Sequence, residues 1–204
     1  LPFPRIATSN AADMNLISSS LHIVAPLLSA NLYPMKSHCL KQVKTGKGSS
    51  MCLGRGQTMG LVHCIVNPAS RDFLCAKIWP KLQAKIIASG YQVETYMTER
   101  VGHGGHLAYE IRQQWESSQQ GGESEGKPPL VVAVGGDGVV HEIASALRGS
   151  DIVLGQLPYG SGNDYCIAHN IPRSDLDKAI EILKNGTDRR CGAWRLEGVP
   201  CPKE

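Results

Sequence analysis

From Leu61 onward, short apolar runs alternate with stretches of helical period. Leu61-Val62-His63-Cys64-Ile65-Val66 is almost wholly apolar and ends at Asn67-Pro68, the pattern of a buried strand meeting a turn. Over residues 72–89, Phe73, Ala76, Ile78, Leu82, Ile86 and Ile87 recur at mostly helical spacing, and Gly90 supplies the stop. Trp79-Pro80 is expected to bend or re-initiate that helix. Residues 91–97 alternate as a second strand, and residues 106–117 form a second helix with Leu107, Ile111 and Trp115 four apart. A polar loop over 119–129 leads to the most apolar strand, Leu130-Val131-Val132-Ala133-Val134, which runs into Gly135-Gly136-Asp137-Gly138. Val139, Val140, Ile143, Ala144 and Leu147 then share one helix face. Ile152-Val153-Leu154-Gly155-Gln156-Leu157 is a fourth strand, closed by Pro158-Tyr159-Gly160-Ser161-Gly162-Asn163-Asp164. Ser174 is the expected cap of a helix over 175–185 that stops at Gly186.

Strands with nearly continuous apolar runs, alternating with helices, predict a parallel sheet covered on both faces. The class is α/β, a three-layer arrangement with glycine-rich loops at the carboxyl ends of its strands, where such sheets bind ligands. Residues 1–58 show neither helical nor strand periodicity and are dense in Ser, Asn, Gly and Lys over 41–57. They read as a poorly structured basic extension or upstream sequence, in preference to a targeting segment, because the chain opens on Leu1 and Met59 stands just before the first convincing strand. The expected division is 1–58, a nucleotide domain over 59–190, and a truncated start of a further region over 191–204.

Charge sharpens this division. Residues 1–58 hold six Lys/Arg against the single acid Asp13, whereas the remainder is slightly acidic. No basic stripe with interleaved aromatics appears, so no nucleic-acid partner is expected. The apolar stretch from Met14 to Met35 is broken by Ser18-Ser19-Ser20, His22, Pro26 and Pro34, and falls short of a membrane span. Seven cysteines with no C-x-x-C pair argue against a disulfide scaffold or zinc ribbon and for a cytoplasmic chain. Twenty-two glycines against two phenylalanines point to tight turns or backbone contacts with a ligand.

The chemistry concentrates in the glycine loops. A strand running through Gly135, Gly136 and Gly138 into a helix leaves backbone N–H groups uncovered at a helix N-terminus, an anion site a polyphosphate can approach closely. Asp137 would face that anion unfavourably unless Mg²⁺ or a substrate hydroxyl lies between them. Glu142, on the same helix face, is expected to reach the nucleotide or a metal-bound water. The plainer reading makes Asp137 an ordinary cap in a tight turn. The dinucleotide fingerprint is absent, since Asn67-Pro68-Ala69-Ser70 holds no glycine, and so is the Walker A loop. His103, His106 and His141 read as solvated or packing residues, and Cys166 as a buried free thiol.

Taken together, Asn67-Pro68-Ala69-Ser70, Thr98, Gly135-Gly136-Asp137-Gly138 with Glu142, and Pro158-Tyr159-Gly160-Ser161-Gly162-Asn163-Asp164 resemble the ordered motifs of the diacylglycerol kinase catalytic domain. That lipid kinase family includes diacylglycerol, sphingosine and ceramide kinases. The resemblance spans Met59 to Arg190. G-G-D-G alone is shared with NAD kinases and phosphofructokinases; the later P-x-G-[ST]-x-N-D element narrows it. The resemblance implies an ATP-dependent, Mg²⁺-assisted transfer of the γ-phosphoryl group to a lipid hydroxyl such as that of diacylglycerol or a sphingoid base. The acceptor would be met at a membrane surface, by a cytoplasmic or peripheral protein for which a homodimer is admissible. It also implies that Asn67 and Ser70 contact the nucleotide, and that Thr98 touches its phosphate or ribose. Gly135, Gly136 and Gly138 would cradle the phosphates, with Asp137 acting through Mg²⁺ or as base. Gly160, Ser161 and Asn163 would hold the nucleotide, Asn163 with Asp164 ordering the loop that faces the cleft, with a direct part in catalysis or a plain cap on the helix that follows as the two readings of that pair. Three departures stand out: Arg71 where the family has glycine, Val139 where it has threonine, and Gly192-Ala193-Trp194 in place of an aspartate-bearing strand, with the second β-rich domain missing. The expectation is weak ATP binding with little lipid phosphorylation, the alternatives being an NAD kinase-like enzyme or an inactive nucleotide- or lipid-binding fragment.

Overall fold

The computed structural model describes residues 17–25, 60–120 and 126–195. Eleven elements follow in chain order: β1 (Ile17–Ala25), β2 (Leu61–Val66), α1 (Leu74–Ala88), β3 (Gln92–Met97), α2 (His103–Gln120), β4 (Leu130–Gly135), α3 (Asp137–Leu147), β5 (Val153–Pro158), α4 (Asp164–Ala168), α5 (Leu176–Asn185) and β6 (Thr187–Arg195). The strands form one sheet in the order β3-β2-β4-β5-β1-β6. All neighbours run parallel except β6, which is antiparallel to β1. The expected three-layer α/β class is therefore observed, with an antiparallel edge strand added.

The apolar runs explain why the central strands lie inside. Val62, Cys64 and Val66 face one core with Cys75, Trp79, Leu82 and Ile86 of α1 and Ala179, Ile180 and Leu183 of α5. Ile65, Val131 and Ala133 face the other, packed by Ala108 and Ile111 of α2 and Val139, Val140, Ile143 and Leu147 of α3. Parallel strands need such cover on both faces, and the period-3.6 stripes of the helices supply it. α1 continues through Pro80, which is exposed, while its neighbour Trp79 is buried; the expected re-initiation does not occur. Asp175, not Ser174, caps α5, its carboxylate accepting from Lys178 N at 3.0 Å.

The chain runs from β2 outward to β3, then crosses back to β4 on the other side of β2. The strand order thus reverses between β2 and β4, the topological switch point where open α/β sheets form a ligand crevice. Val66 pairs with Val134 and Gly135 with Pro158, so the loops after β2, β4 and β5 open together along the same edge.

Residues 17–25 correct the reading that 1–58 lack strand structure, and the sheet passes the 59–190 limits at both ends. β1 pairs with β5 through His22 and Ile23, and with β6 over nine residue pairs. Its alternation is confined to Leu21 and Ile23, both buried, beside half-buried Ser20 and His22. Arg190 Nε approaches His22 Nε2 at 2.9 Å and closes that edge. The remainder of 1–58 lies outside the described residues. Because Ile23 is only 1% exposed, Ile23→Ala is expected to cost about 2–4 kcal/mol in urea unfolding; a change under about 0.5 kcal/mol would place β1 outside the sheet.

Candidate functional site

Two glycine loops meet at the switch-point edge. The loop after β4 turns at Gly135 and Gly136, and the loop after β5 turns at Gly160. A β-carbon at position 160 would overlap Gly136 Cα and stand 2.9 Å from Gly136 N. A β-carbon at position 136 would stand 3.1 Å from Gly160 Cα. The two backbones touch directly, a contact no side chain larger than hydrogen permits. Gly135 is enclosed in the same way, since its β-carbon would lie 2.8 Å from Val139 Cγ1, 3.0 Å from Ser70 Oγ and 3.4 Å from Asn67 Cβ.

Polar side chains pin both loops. Gly135 O accepts from Tyr159 N at 3.0 Å and from Gln156 Nε2 at 3.2 Å. Asn163, 5% exposed and with φ of 56°, accepts from Gly160 N and donates to Gly160 O, both at 2.9 Å. The Asn163 side chain orders the loop and makes no cap bond to α4. That bond comes from Asp137, whose Oδ1 accepts from Tyr165 N at 3.1 Å. Asp137 is thus a cap, but for α4 across the cleft and not for the helix it begins.

Asp137 Oδ2 makes no hydrogen bond among the described residues. A β-carbon at Gly162 would lie 3.0 Å from this oxygen and 3.7 Å from Asp164 Oδ1, so two carboxylates face one gap that a glycine leaves open. Among the described residues, no group of three or more ligating side chains could hold a metal. A pair of carboxylates still suits Mg²⁺, which takes one or two from the protein and completes its shell with phosphates and water.

Glu142 turns toward the start of α2. Its Oε1 accepts from Gly102 N at 2.8 Å and its Oε2 from Gly104 N at 3.0 Å, so both oxygens are committed to the start of α2. The reason is that α2 has no acidic residue in its first turn, and its unsatisfied N–H groups are met from α3 instead. Thr98, 9% exposed, stands nearby, its methyl facing Gly104 and its N–H bonded to Val66 O at 2.9 Å. Glu142 and Thr98 therefore brace the β3–α2 corner, while Asn67, Ser70, Gly135, Gly136, Asp137, Gly160 and Asn163 converge on the glycine loops. Asn67 Oδ1 accepts from Ala69 N at 3.1 Å, an Asx turn that sets the loop after β2. Gly138 and Ser161 are exposed on the open face of the edge. The α3 N-cap is Gly136, which brings no side chain, so the first N–H groups of α3 remain directed outward.

Gln156, fully buried, was not singled out by sequence reasoning. Besides holding Gly135, its Oε1 accepts from the Cys166 thiol at 2.9 Å. The available signal was a lone amide inside an otherwise apolar strand. Cys166 is buried and free, as expected. Burial, and then the negative charge of Asp137, push its thiol up to about 12, so it stays protonated at neutral pH. A cavity of about 560 Å³ lies elsewhere, at the amino ends of the strands among Leu61, Leu130, Val153 and Lys184, away from these loops.

Residues 62–195, well over half of the chain, match the family model described as Diacylglycerol kinase catalytic domain. The chain belongs to the diacylglycerol kinase catalytic domain family. A diacylglycerol kinase of Bacillus subtilis is 29% identical over 142 residues, 69% of this chain and 43% of the relative. One from Staphylococcus epidermidis is 29% identical over 124 residues, 60% of this chain and 35% of the relative. The crystal structure of a diacylglycerol kinase from Bacillus anthracis aligns with 60% of this chain and 41% of that one, at 21% identity and a TM-score of 0.48. The chain thus spans less than half the length of these diacylglycerol kinase family members. Among the described residues no helix is long and apolar enough to cross a membrane.

The backbone contact between the loops makes a sharp stability prediction. Gly160→Ala is expected to cost about 3 kcal/mol, because the obstacle is backbone and no rotamer can yield. Gly138→Ala, with nothing within 4 Å of its β-carbon, should be neutral or stabilising by up to about 1 kcal/mol. Denaturant unfolding of the two variants checks this; equal costs would mean that the loops do not touch.

Proposed function

We propose that the chain is the ATP-binding part of a lipid kinase that transfers the γ-phosphoryl group to the hydroxyl of a lipid such as diacylglycerol, met at a membrane surface. The observation that carries this reading is the joined pair of glycine loops at the switch point, with the uncapped N-terminus of α3 directed outward. Backbone N–H groups there would receive the phosphate chain, Gly135, Gly136 and Gly160 forming a floor without side chains. Asn67 and Ser70 on the β2 loop, and exposed Ser161 on the β5 loop, would flank the nucleotide on either side.

Asp137 and Asp164 would hold Mg²⁺, which when bound neutralises phosphate charge. Asp137 Oδ2, which faces the gap at Gly162, would serve as metal ligand or as proton acceptor for the attacking hydroxyl. In the transfer, the lipid oxygen bonds to the γ-phosphorus, the bond to the β–γ bridging oxygen breaks, and ADP departs. The work asked of the protein is positioning and charge stabilisation, which matches a site of glycines and carboxylates without a covalent nucleophile. Glu142 and Thr98 enter as braces, keeping the α2 corner and α3 in register with the floor.

Calorimetric titration with Mg-ATP tests the nucleotide reading. The chain is expected to bind, and Asp137→Asn, which keeps an acceptor for Tyr165 N, should weaken binding about tenfold in Mg²⁺ while changing it little in EDTA. Identical heats for the two proteins would sink the assignment of Asp137. Transfer of labelled phosphate, with diacylglycerol and NAD offered together, reads the acceptor class: at most a small yield of labelled phosphatidic acid is expected, with none in NADP, and labelled NADP would reassign the enzyme.

A further inference from the structure

We propose that Arg71 is a nucleotide-binding residue particular to this chain, its guanidinium reaching across the glycine floor to donate to the phosphate chain, with Tyr159 as the platform that aims it. This rests on the nucleotide reading above and adds to it a side-chain cation that none of the glycine motifs supplies.

The topology carries the argument. Arg71 lies on the loop after β2, and Tyr159 immediately follows β5. These strands are not neighbours, because β4 runs between them, so their ends stand two strand spacings apart, about 10 Å. Yet the guanidinium carbon sits 5.5 Å from the centre of the Tyr159 ring. The loop after β2 itself reaches the end of β4, where Ser70 Oγ and Asn67 Cβ stand against Gly135, and the Arg71–Tyr159 stack joins it to the loop after β5 on the far side. Tyr159 is itself tied to that floor by its N–H to Gly135 O at 3.0 Å.

The guanidinium is also uncommitted. Arg71 is exposed and its side chain has no ion pair or hydrogen bond among the described residues, so stacking on Tyr159 uses its face and leaves its edge donors open. Asp72, next in the chain, does not pair with it. An unneutralised, planar, five-donor cation on the loop that meets the glycine floor is suited to phosphate oxygens.

Backbone conformation adds an independent point. Arg71, Asp72 and Phe73 have φ of 51°, 54° and 64°, three consecutive left-handed residues without a glycine. Glycine would occupy position 71 without the side-chain penalty. A residue held against that preference, at the mouth of a site, is expected where the side chain has a task.

The test compares the wild-type chain with Arg71→Gly and Arg71→Lys, measuring thermal unfolding and the binding of Mg-ATP, ADP and AMP. Arg71→Gly is expected to hold or raise the unfolding midpoint while weakening Mg-ATP about tenfold and AMP hardly at all. Arg71→Lys should recover part of the loss. Wild-type affinity in Arg71→Gly, an equal loss for AMP and ATP, or a fall in midpoint alongside the fall in affinity would each overturn the proposal and leave the nucleotide reading standing. Failure of the wild-type chain to bind any of the three would overturn both.

Discussion

The contact between Gly136 and Gly160 is the constraint on which the rest of the edge depends. Two strand-end loops can share one surface only if their backbones meet, and here neither position has room for a β-carbon. Once they meet, the end of β4 and the end of β5 become a single floor. The polar groups around them act on that floor as a unit: Gln156 and Tyr159 hold Gly135 from one side, and Asn163 clasps Gly160 from the other. The floor is positioned by buried hydrogen bonds whose removal leaves unpaired groups behind, a firmer arrangement than loop packing alone.

The acidic side chains of the site show a division of labour. Glu142 spends both oxygens on the start of α2, and Asp137 spends one on the start of α4. Each meets N–H groups that a helix start leaves unsatisfied, on a helix whose own first residues offer no side-chain cap at that point. The start of α3 is treated differently, with a glycine cap and no side-chain cap bond, its own first-turn acid Asp137 being turned to α4. Anion-binding capacity is therefore withdrawn from two helix starts and preserved at the third, which opens onto the floor. On the proposal above, Arg71 would add an exposed cation to that same surface from a left-handed backbone.

Much of this was legible from the residues. Continuous apolar strands, helical stripes and the two glycine loops announced an α/β sheet with its chemistry at the carboxyl ends, and Asn67, Ser70, Gly135, Gly136, Asp137, Gly160 and Asn163 do converge there. What escaped was whatever depends on partners distant in the chain. β1 contains only a short alternation at Leu21 and Ile23, and its place is set by pairing with β5 and β6, more than a hundred residues on. Gln156 looked like an interruption in an apolar run, since nothing local reveals that its amide faces Gly135 and Cys166. The bonds from Glu142 to the start of α2 are likewise invisible in the sequence, because helix periodicity shows which face a residue occupies but not which neighbouring helix start its carboxylate meets.

The central claim is that the nucleotide lies on the floor made by the two joined glycine loops. Amide chemical-shift mapping of the ¹⁵N-labelled chain during titration with Mg-ATP tests it most directly. The account predicts that the amides of Gly135, Gly136, Gly138, Gly160 and Gly162 move together along one binding curve, while those of Gly60 and Gly186, beside the cavity at the amino ends of the strands, stay in place. Shifts concentrated at Gly60 and Gly186, with the loop glycines unmoved, would contradict it.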